Sequence, residues 1–152
     1  MKIIVRGTNW VGDAVMQIPA LREIRRVFPE AHITLCTKDW AQGIFEDVKF
    51  IDDFLTIEAD ESVLQQAKKW RKGKFDLAIL FTNSFQTALI SKLGKAKTRF
   101  GYANEGRSFL LTNSIEKPIW KDERHEIYYY LNLVAELAKH YFGITSVQNV
   151  IF

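Results

Sequence analysis

The sequence predicts a doubly wound α/β domain, with a mostly parallel sheet and helices on both faces. Short apolar runs alternate with longer amphipathic segments along the chain, an order typical of strand–helix–strand units. The first run, Ile3-Ile4-Val5, is β-branched and uninterrupted, which favours a buried strand. Gly7 and Gly12 follow it and a helical pattern comes next, as at the start of such a domain.

The strands are expected at the apolar runs, and the helices are expected between them. Pro19 suits the first position of a helix, so we expect a short turn at residues 14–17 and a fresh helix at 19–27. The remaining predicted helices cover residues 39–45, 61–72, 85–93 and 123–142. The predicted strands cover residues 2–6, 32–36, 51–57, 76–81 and 98–102, with a sixth within 110–115.

The predicted helix at 61–72 is amphipathic. Its spacing directs Val63, Leu64, Ala67 and Trp70 inward, and Gly73 is expected to close it.

The composition is that of a soluble globular domain. Of 152 residues, 47% are apolar and 26% are charged, and the net charge of +3 does not indicate a nucleic-acid partner. Cys36 is the only cysteine, so we expect a buried structural thiol in a reducing, cytoplasmic location. No signal peptide is expected. Residues 1–143 are expected to form one domain, and residues 144–152 an interdomain crossing or a tail.

Polar and glycine-bearing segments follow the predicted strands and should meet at one edge of the sheet. These segments are residues 7–13, 37–40, 82–85 and 102–107. The opposite edge should collect a basic cluster, for which we expect solvated helix ends, with contact to anionic lipid or a protein partner as the alternative. This cluster comprises Lys68, Lys69, Arg71, Lys72, Lys74, Lys92, Lys95 and Lys97.

The loop after the first strand carries the main candidate for chemistry, Asp13. Neither a G-x-G-x-x-G nor a G-x-x-x-x-G-K-[ST] pattern is present, which disfavours a nucleotide site in this loop. Asp13 fits two roles, a first-turn acid that stabilises the helix or a general base that deprotonates a hydroxyl. The residues alone leave both open.

Three further side chains have alternative interpretations. Arg107 could bind a phosphate or carboxylate, pair with Glu105, or remain solvated. Trp10 could belong to the core or stack against a sugar face. His125 is expected to cap or pack rather than catalyse, and the run Tyr128-Tyr129-Tyr130 is expected to pack.

An ordered set of motifs resembles the bacterial ADP-heptose:lipopolysaccharide heptosyltransferases, in particular the heptosyltransferase II branch of glycosyltransferase family 9. The resemblance covers nearly the whole chain. It rests on Asn9-Trp10-Val11-Gly12-Asp13-Ala14-Val15-Met16, Pro19-Ala20-Leu21, Asn83-Ser84-Phe85, Arg99-Phe100-Gly101-Tyr102, Gly106-Arg107 and His125-Glu126.

The resemblance implies a GT-B fold, in which two Rossmann-like domains face each other across a cleft. It implies metal-independent, inverting transfer of heptose from ADP-heptose to the lipopolysaccharide inner core, without a cofactor, at the inner face of the inner membrane. Asp13 would be the general base. The acceptor contacts implied are Asn9, Trp10, Gly12, Asn83, Ser84 and Arg107.

The sequence carries only the acceptor half of this resemblance, and a C-terminal donor domain has no counterpart in it. We therefore expect no transferase activity from the chain in isolation, and an exposed apolar surface near Trp10 and the last helix. Two alternatives remain open. One is a non-catalytic α/β binding module, and the other is a flavodoxin-like domain that binds a nucleotide or flavin.

Overall fold

The computed structural model describes residues 1–9, 11–104, 106–118 and 126–143, and no side-chain placement is described for Val11 and Glu126. Its sheet has six strands in the order β3-β2-β1-β4-β5-β6, and all pairings are parallel. The predicted fold class is confirmed. The strands are β1 (Lys2–Arg6), β2 (His32–Lys38), β3 (Asp53–Ile57), β4 (Leu77–Leu80), β5 (Thr98–Tyr102) and β6 (Asn113–Ile115).

Helices cover both faces of this sheet. The helices are α1 (Val11–Met16), α2 (Ile18–Val27), α3 (Gln42–Phe45), α4 (Val63–Gly73), α5 (Phe85–Leu93) and α6 (Glu126–Phe142). One core contains Ile3 and Val5 and packs against α1, α2 and α6, whereas the other contains Ile4 and packs against α4 and α5. None of the described helices is long and apolar enough to cross a bilayer.

The strand order reverses between β1 and β4, and this arrangement positions the site. β2 and β3 extend from one side of β1, while β4, β5 and β6 extend from the other. In open parallel sheets, the connections diverge at such a reversal and leave a crevice outside the carboxyl ends of the strands. The segments that follow β1, β2, β4 and β5 therefore share one edge, as predicted.

The first helical region differs from the prediction. The expected short turn at residues 14–17 is wrong, because α1 is regular from Val11 to Met16 and the break falls at Gln17. The Gln17 N–H still donates to the Asp13 carbonyl at 3.1 Å, so the break does not abolish the hydrogen-bond ladder. Pro19 lies in the first turn of α2, where its missing N–H costs nothing.

Helix α4 corrects two expectations. Leu64 is 73% exposed rather than inward, while Ala67 and Trp70 are buried as predicted. Gly73 is the last helical residue, and Lys74 caps the helix in the left-handed conformation with φ of 51°. A capping box between Ser62 and Gln65 sets the start of α4.

The basic cluster at the opposite edge is mostly exposed, but Lys69 is an exception. Lys68, Arg71 and Lys72 lie towards the end of α4, and all three are exposed. The Lys69 ammonium instead donates to a Glu61 carboxylate oxygen at 2.7 Å and to the Thr56 carbonyl at 3.1 Å. Lys69 therefore belongs to the contacts between α4 and the end of β3.

Cys36 is completely buried beneath α4, as expected for a structural thiol. Burial raises its pKa to about 11. A thiol with such a pKa carries almost no thiolate at neutral pH, and the thiolate is the nucleophilic form.

An ion pair between Arg25 and Asp52 joins α2 to the segment before β3. The Arg25 guanidinium lies 2.5 Å from an Asp52 carboxylate oxygen and donates to the Ala31 carbonyl at 2.7 Å. The Ile33 N–H donates to the same carboxylate at 2.8 Å. That backbone hydrogen bond, with the Arg25 charge, lowers the pKa of Asp52.

We predict that Asp52→Asn lowers the free energy of unfolding by about 1 kcal/mol at pH 7, a modest loss because the carboxylate is partly exposed. The folded-state pKa of Asp52 lies below its ordinary value of 3.8. The contribution is therefore present above that value and is lost as the pH falls through the folded-state pKa. Urea unfolding at pH 7 and pH 3 checks the prediction, with the exposed Asp47→Asn as the matched control. An equal loss at both pH values would contradict it.

Candidate functional site

Buried polar contacts hold the loop that follows β1. The Gly7 N–H donates to the Cys36 carbonyl at 2.8 Å, and the Thr8 N–H donates to the Gln17 side-chain oxygen at 3.3 Å. Gly7 lies so close to Gln17 that a Cβ there would be 3.2 Å from the Gln17 amide nitrogen. Hydrogen bonds therefore hold the loop both to β2 and to the junction of α1 and α2.

Asp13 lies in the first turn of α1, at the edge where the predicted site segments meet. It is partly exposed, and the neighbouring Gly12 is exposed, with open space where a side chain would project. A first-turn acid favours the helix electrostatically, and a partly exposed carboxylate can also reach a bound hydroxyl. Trp10 and His125 lie outside the described residues.

Arg107 is completely buried, so the alternative in which it remains solvated is wrong. Its Nε–H donates to the Tyr102 carbonyl at 2.8 Å, and its Nη1 donates to the Ser84 carbonyl at 3.0 Å. The guanidinium thus joins the loop after β5 to the loop after β4. Glu105, the other predicted partner, lies outside the described residues. Acceptor binding by Arg107 stays a prediction.

Asn83 and Ser84 lie beside Arg107 at the start of α5. Ser84 caps this helix, because its hydroxyl oxygen accepts a hydrogen bond from the Thr87 N–H at 3.2 Å. Asn83 is exposed, and its side-chain oxygen accepts from the Tyr129 hydroxyl at 3.0 Å. The structure therefore brings both predicted residues to the same edge as Asp13.

A pair of buried tyrosines supports this edge from below. The rings of Tyr102 and Tyr129 stack with centroids 4.2 Å apart, and the Tyr102 hydroxyl donates to the Tyr129 carbonyl at 2.6 Å. Asn104 donates to the Tyr129 hydroxyl at 3.3 Å, which adds the loop after β5 to the network. The expectation that Tyr129 packs in the core is confirmed, and its hydroxyl also positions Asn83.

Arg6 is a site residue that the sequence interpretation missed. It ends β1, is only 5% exposed, and donates from Nη2 to the Asn9 side-chain oxygen at 3.0 Å and from Nη1 to the Gly7 carbonyl. Burial lowers its pKa, but a guanidinium remains cationic at neutral pH. The sequence feature that could have indicated Arg6 is a cationic residue placed directly at the end of a buried strand.

Arg6 lines a cavity of about 280 Å³ on the α4/α5 side of the carboxyl edge. Asn9, a predicted acceptor contact, and Ser84, the cap of α5, also line it. The remaining lining residues are Lys38, Glu58, Ala59, Glu61, Gln66, Gln86, Thr87 and Ile90.

Large apolar side chains are exposed near the same edge. Phe85 and Phe109 are 39% and 69% exposed, and their ring centroids lie 5.9 Å apart. Trp40, in the segment after β2, is 46% exposed. These three side chains lie in the segments after β2, β4 and β5, which is not where the exposed apolar surface was expected. On the last helix, Phe142 at the end of α6 is 54% exposed, and Trp10 lies outside the described residues.

No cluster of three or more histidine, cysteine, aspartate or glutamate side chains suited to a metal ion occurs within the described part of the chain.

The sequence model of glycosyltransferase family 9 (heptosyltransferase) matches residues 63–149, which is more than half of the chain. The chain belongs to this family.

A curated relative agrees with this family assignment. A lipooligosaccharide heptosyltransferase 2 of Haemophilus ducreyi is 27% identical over 118 residues, covering 74% of this chain and 34% of the relative. The chain thus spans about a third of the length of that relative.

Two solved structures share the fold of this family 9 domain. E. coli ADP-heptose lps heptosyltransferase II superposes with a TM-score of 0.77 at 24% identity, covering 88% of this chain and 40% of that one. A family 9 glycosyltransferase from Veillonella parvula superposes with a TM-score of 0.81 at 21% identity, covering 97% of this chain and 42% of that one.

We predict that Gly101→Ala destabilises the domain by about 1–3 kcal/mol through overpacking around Arg107. A Cβ at Gly101 would lie 2.9 Å from the Arg107 Nη2 and 3.4 Å from the Leu80 Cβ. The buried guanidinium has little room to move, because its donors hold two backbone carbonyls. Urea unfolding measures the loss.

The matched control is Gly43→Ala in α3, where a Cβ meets nothing within 4 Å and no destabilisation is expected. Equal stability of Gly101→Ala and the parent would show that the guanidinium is not fixed in this position.

Proposed function

We propose that this chain is the acceptor-side domain of a family 9 heptosyltransferase, which transfers heptose from ADP-heptose to the lipopolysaccharide inner core. The observation that carries the proposal is the position of Asp13. It is a partly exposed carboxylate in the first turn of α1, at the crevice edge of a domain whose family is that of heptosyltransferases. The names of the relatives, E. coli heptosyltransferase II among them, support this substrate class.

In the proposed reaction, Asp13 accepts the proton of an acceptor hydroxyl while that oxygen bonds to the anomeric carbon of heptose. The bond between this carbon and the diphosphate oxygen breaks, and ADP leaves with the electron pair, so the anomeric configuration inverts. The transfer requires no metal and no cofactor. Asn9, Gly12 and Asn83 are exposed at the same edge and supply hydrogen bonds to the acceptor. Trp10, Ser84 and Arg107 remain proposed acceptor contacts as well.

We propose that the donor ADP-heptose binds to a second domain. The relatives are long enough to contain one, because this chain covers only 34% and 40% of their lengths. Residues 1–143 then form the acceptor-side domain, and the exposed aromatic residues Trp40, Phe85 and Phe109 face the cleft. The enzyme works in the cytoplasm, in peripheral contact with the inner membrane where its acceptor lies. These are parts of the same proposal.

We predict that Asp13→Asn lowers kcat by about 10²–10⁴ in a full-length enzyme that carries this domain as its acceptor half. The substitution keeps the size of the side chain but removes its negative charge and its ability to accept the proton, so kcat should fall much more than the KM for the acceptor changes. Heptose transfer from ADP-heptose to a deacylated inner-core acceptor measures the effect.

The exposed Asp47→Asn is the control and should leave kcat unchanged. An Asp13→Asn enzyme with the parent rate would reduce Asp13 to a residue that stabilises the helix start. Micromolar binding of ADP or a flavin by the chain alone would favour the nucleotide-binding alternative instead.

A further inference from the structure

Positive charge is concentrated in one part of this chain. Residues 62–104 contain nine of the 21 lysines and arginines but only one of the 18 acidic residues, Asp76, which gives them a net charge of +8. The remaining twelve cations and seventeen acids give the rest of the chain a net charge of −5, with histidines neutral. Such an asymmetry within one small domain indicates a surface that meets an anionic partner.

The cations lie on the side of α4 and α5 that faces away from the sheet. Both helices pack on the sheet through buried side chains such as Trp70 in α4 and Ile90 in α5. A row of exposed side chains follows helical spacing on the other side of α4. This row consists of Leu64, Lys68, Arg71 and Lys72.

Two grooves adjoin each other on this side of the helices. One, of about 540 Å³, is lined by the apolar residues Leu64, Ala67 and Leu93 and by three cations, Lys68, Arg71 and Lys72. The other, of about 350 Å³, shares Arg71 and continues to the amino edge of the sheet. Its further lining residues are Lys74, Phe75, Gly94, Lys95 and Lys97. The two grooves together are called the basic face below, and no acidic residue of the described chain lines either of them.

Most of the charge on the basic face is unmatched. Among the described residues, Lys97 is the only cation of this face that pairs with an acid, Asp76, at 3.5 Å. On the opposite side of the sheet, by contrast, Arg25 and Arg26 of α2 both have carboxylate partners. The cations of the basic face without such a partner in the described ranges are Lys68, Arg71, Lys72, Lys74 and Lys95.

Two lysines of the basic face occupy backbone positions that favour glycine. Lys74 and Lys95 come shortly after the ends of α4 and α5, with φ of 51° and 59°. A side chain in this left-handed region costs free energy relative to glycine, so both helices end next to a cation despite a backbone cost. Attraction to the helix dipole acts only within the last turn, and it does not account for Lys68, which lies before that turn.

The apolar side chains among the cations favour a lipid surface over a nucleic acid. Nucleic-acid phosphates are matched by cations alone and gain nothing from Leu64, which is 73% exposed. At a bilayer, a leucine enters the boundary between headgroups and acyl chains while flexible lysines reach the headgroup phosphates. Anionic phospholipids attract such clusters of cations electrostatically.

We propose that the basic face docks the chain on an anionic phospholipid surface, with its cations on the headgroup phosphates and Leu64 in the interface. The inference rests on the proposed function for the contact with a membrane, and it names the surface that makes this contact. Because α4 and α5 both begin at the carboxyl edge, the docked face adjoins that edge. An acceptor anchored in the same bilayer therefore lies next to the candidate site.

The test is co-sedimentation of the full chain with vesicles of phosphatidylcholine alone or of an equal mixture of phosphatidylcholine and phosphatidylglycerol. At low ionic strength we expect at least about tenfold tighter binding to the mixed vesicles, because each cation near an anionic surface contributes about fivefold. Added salt should weaken this binding. Equal binding to both kinds of vesicle, or no binding to either, would overturn the proposal.

The double variant Lys68→Gln/Lys72→Gln removes two exposed cations of the basic face and should weaken binding to the mixed vesicles by about tenfold or more. The matched control, Lys49→Gln/Lys139→Gln, removes the same charge at two exposed positions elsewhere and should keep the parent affinity within about twofold. An equal loss in the two double variants would show that only the net charge matters, which contradicts docking through this face.

Leu64→Asn separates a lipid surface from other polyanions. Because Leu64 is largely exposed, its loss should not affect folding, but it should weaken binding to the mixed vesicles by about three- to tenfold. A chain that binds a DNA duplex as tightly as the mixed vesicles, and whose vesicle binding is unchanged by Leu64→Asn, would overturn the assignment to lipid.

These results are separable from the proposed function. A chain that does not bind the vesicles would overturn the docking face, yet a reduced rate of the full-length Asp13→Asn enzyme on a soluble, deacylated acceptor would still uphold the transfer reaction. Conversely, an Asp13→Asn enzyme with the parent rate would leave the vesicle measurements and their interpretation intact.

Discussion

The burial of β1 in the middle of the parallel sheet is the constraint on which the rest of this structure depends. Ile3, Ile4 and Val5 are completely buried between β2 and β4 and contact helices on both faces. Because every pairing is parallel, the chain must return to the same starting edge after each strand. All strand ends are thereby gathered at the other edge, which carries the candidate site.

Buried polar anchors make this edge rigid rather than a set of independent loops. Arg107 holds the carbonyls of Tyr102 and Ser84, and the Tyr129 hydroxyl holds Asn83. Burying the Arg107 guanidinium costs free energy, so its N–H donors must be paired with acceptors. Gly101 packs closely against it, with no room for a Cβ. Sites built on such a fixed frame pre-organise the groups that meet the ligand. The sequence interpretation placed Arg107 at the correct edge, but its contacts there are with the backbone.

The sequence pattern was sufficient to predict the fold class and to assign the site segments to the carboxyl edge of the sheet. Both predictions follow from the local periodicity that marks strands and helices. The boundaries of β1, β5 and α5 agree with the predictions, and the β-branched run of β1 and the serine cap of α5 mark two of these elements clearly. The first helix was mispredicted because Pro19 dominated the interpretation, although a proline in a first turn leaves the preceding helix intact. Leu64 was mispredicted because helical spacing alone cannot show where the sheet ends beneath α4.

The site was harder to predict than the fold. Arg6 lies next to apolar residues in a strand, and only the packing of α4 and α5 shows that its guanidinium lines a cavity. Burial of Arg107 likewise depends on contacts between segments distant in the sequence. The sequence placed Asp13, Asn83 and Ser84 at the carboxyl edge because they follow strand ends, a position that the topology alone determines.

The central claim is that the carboxyl edge, and not the basic edge opposite, receives the acceptor. Hydrogen–deuterium exchange of the full chain with and without a deacylated lipopolysaccharide inner-core oligosaccharide tests it most directly. The account predicts slower exchange at residues 7–13 and 82–87, with no change at residues 68–74 and 92–97. Protection confined to residues 68–74 and 92–97 would contradict it.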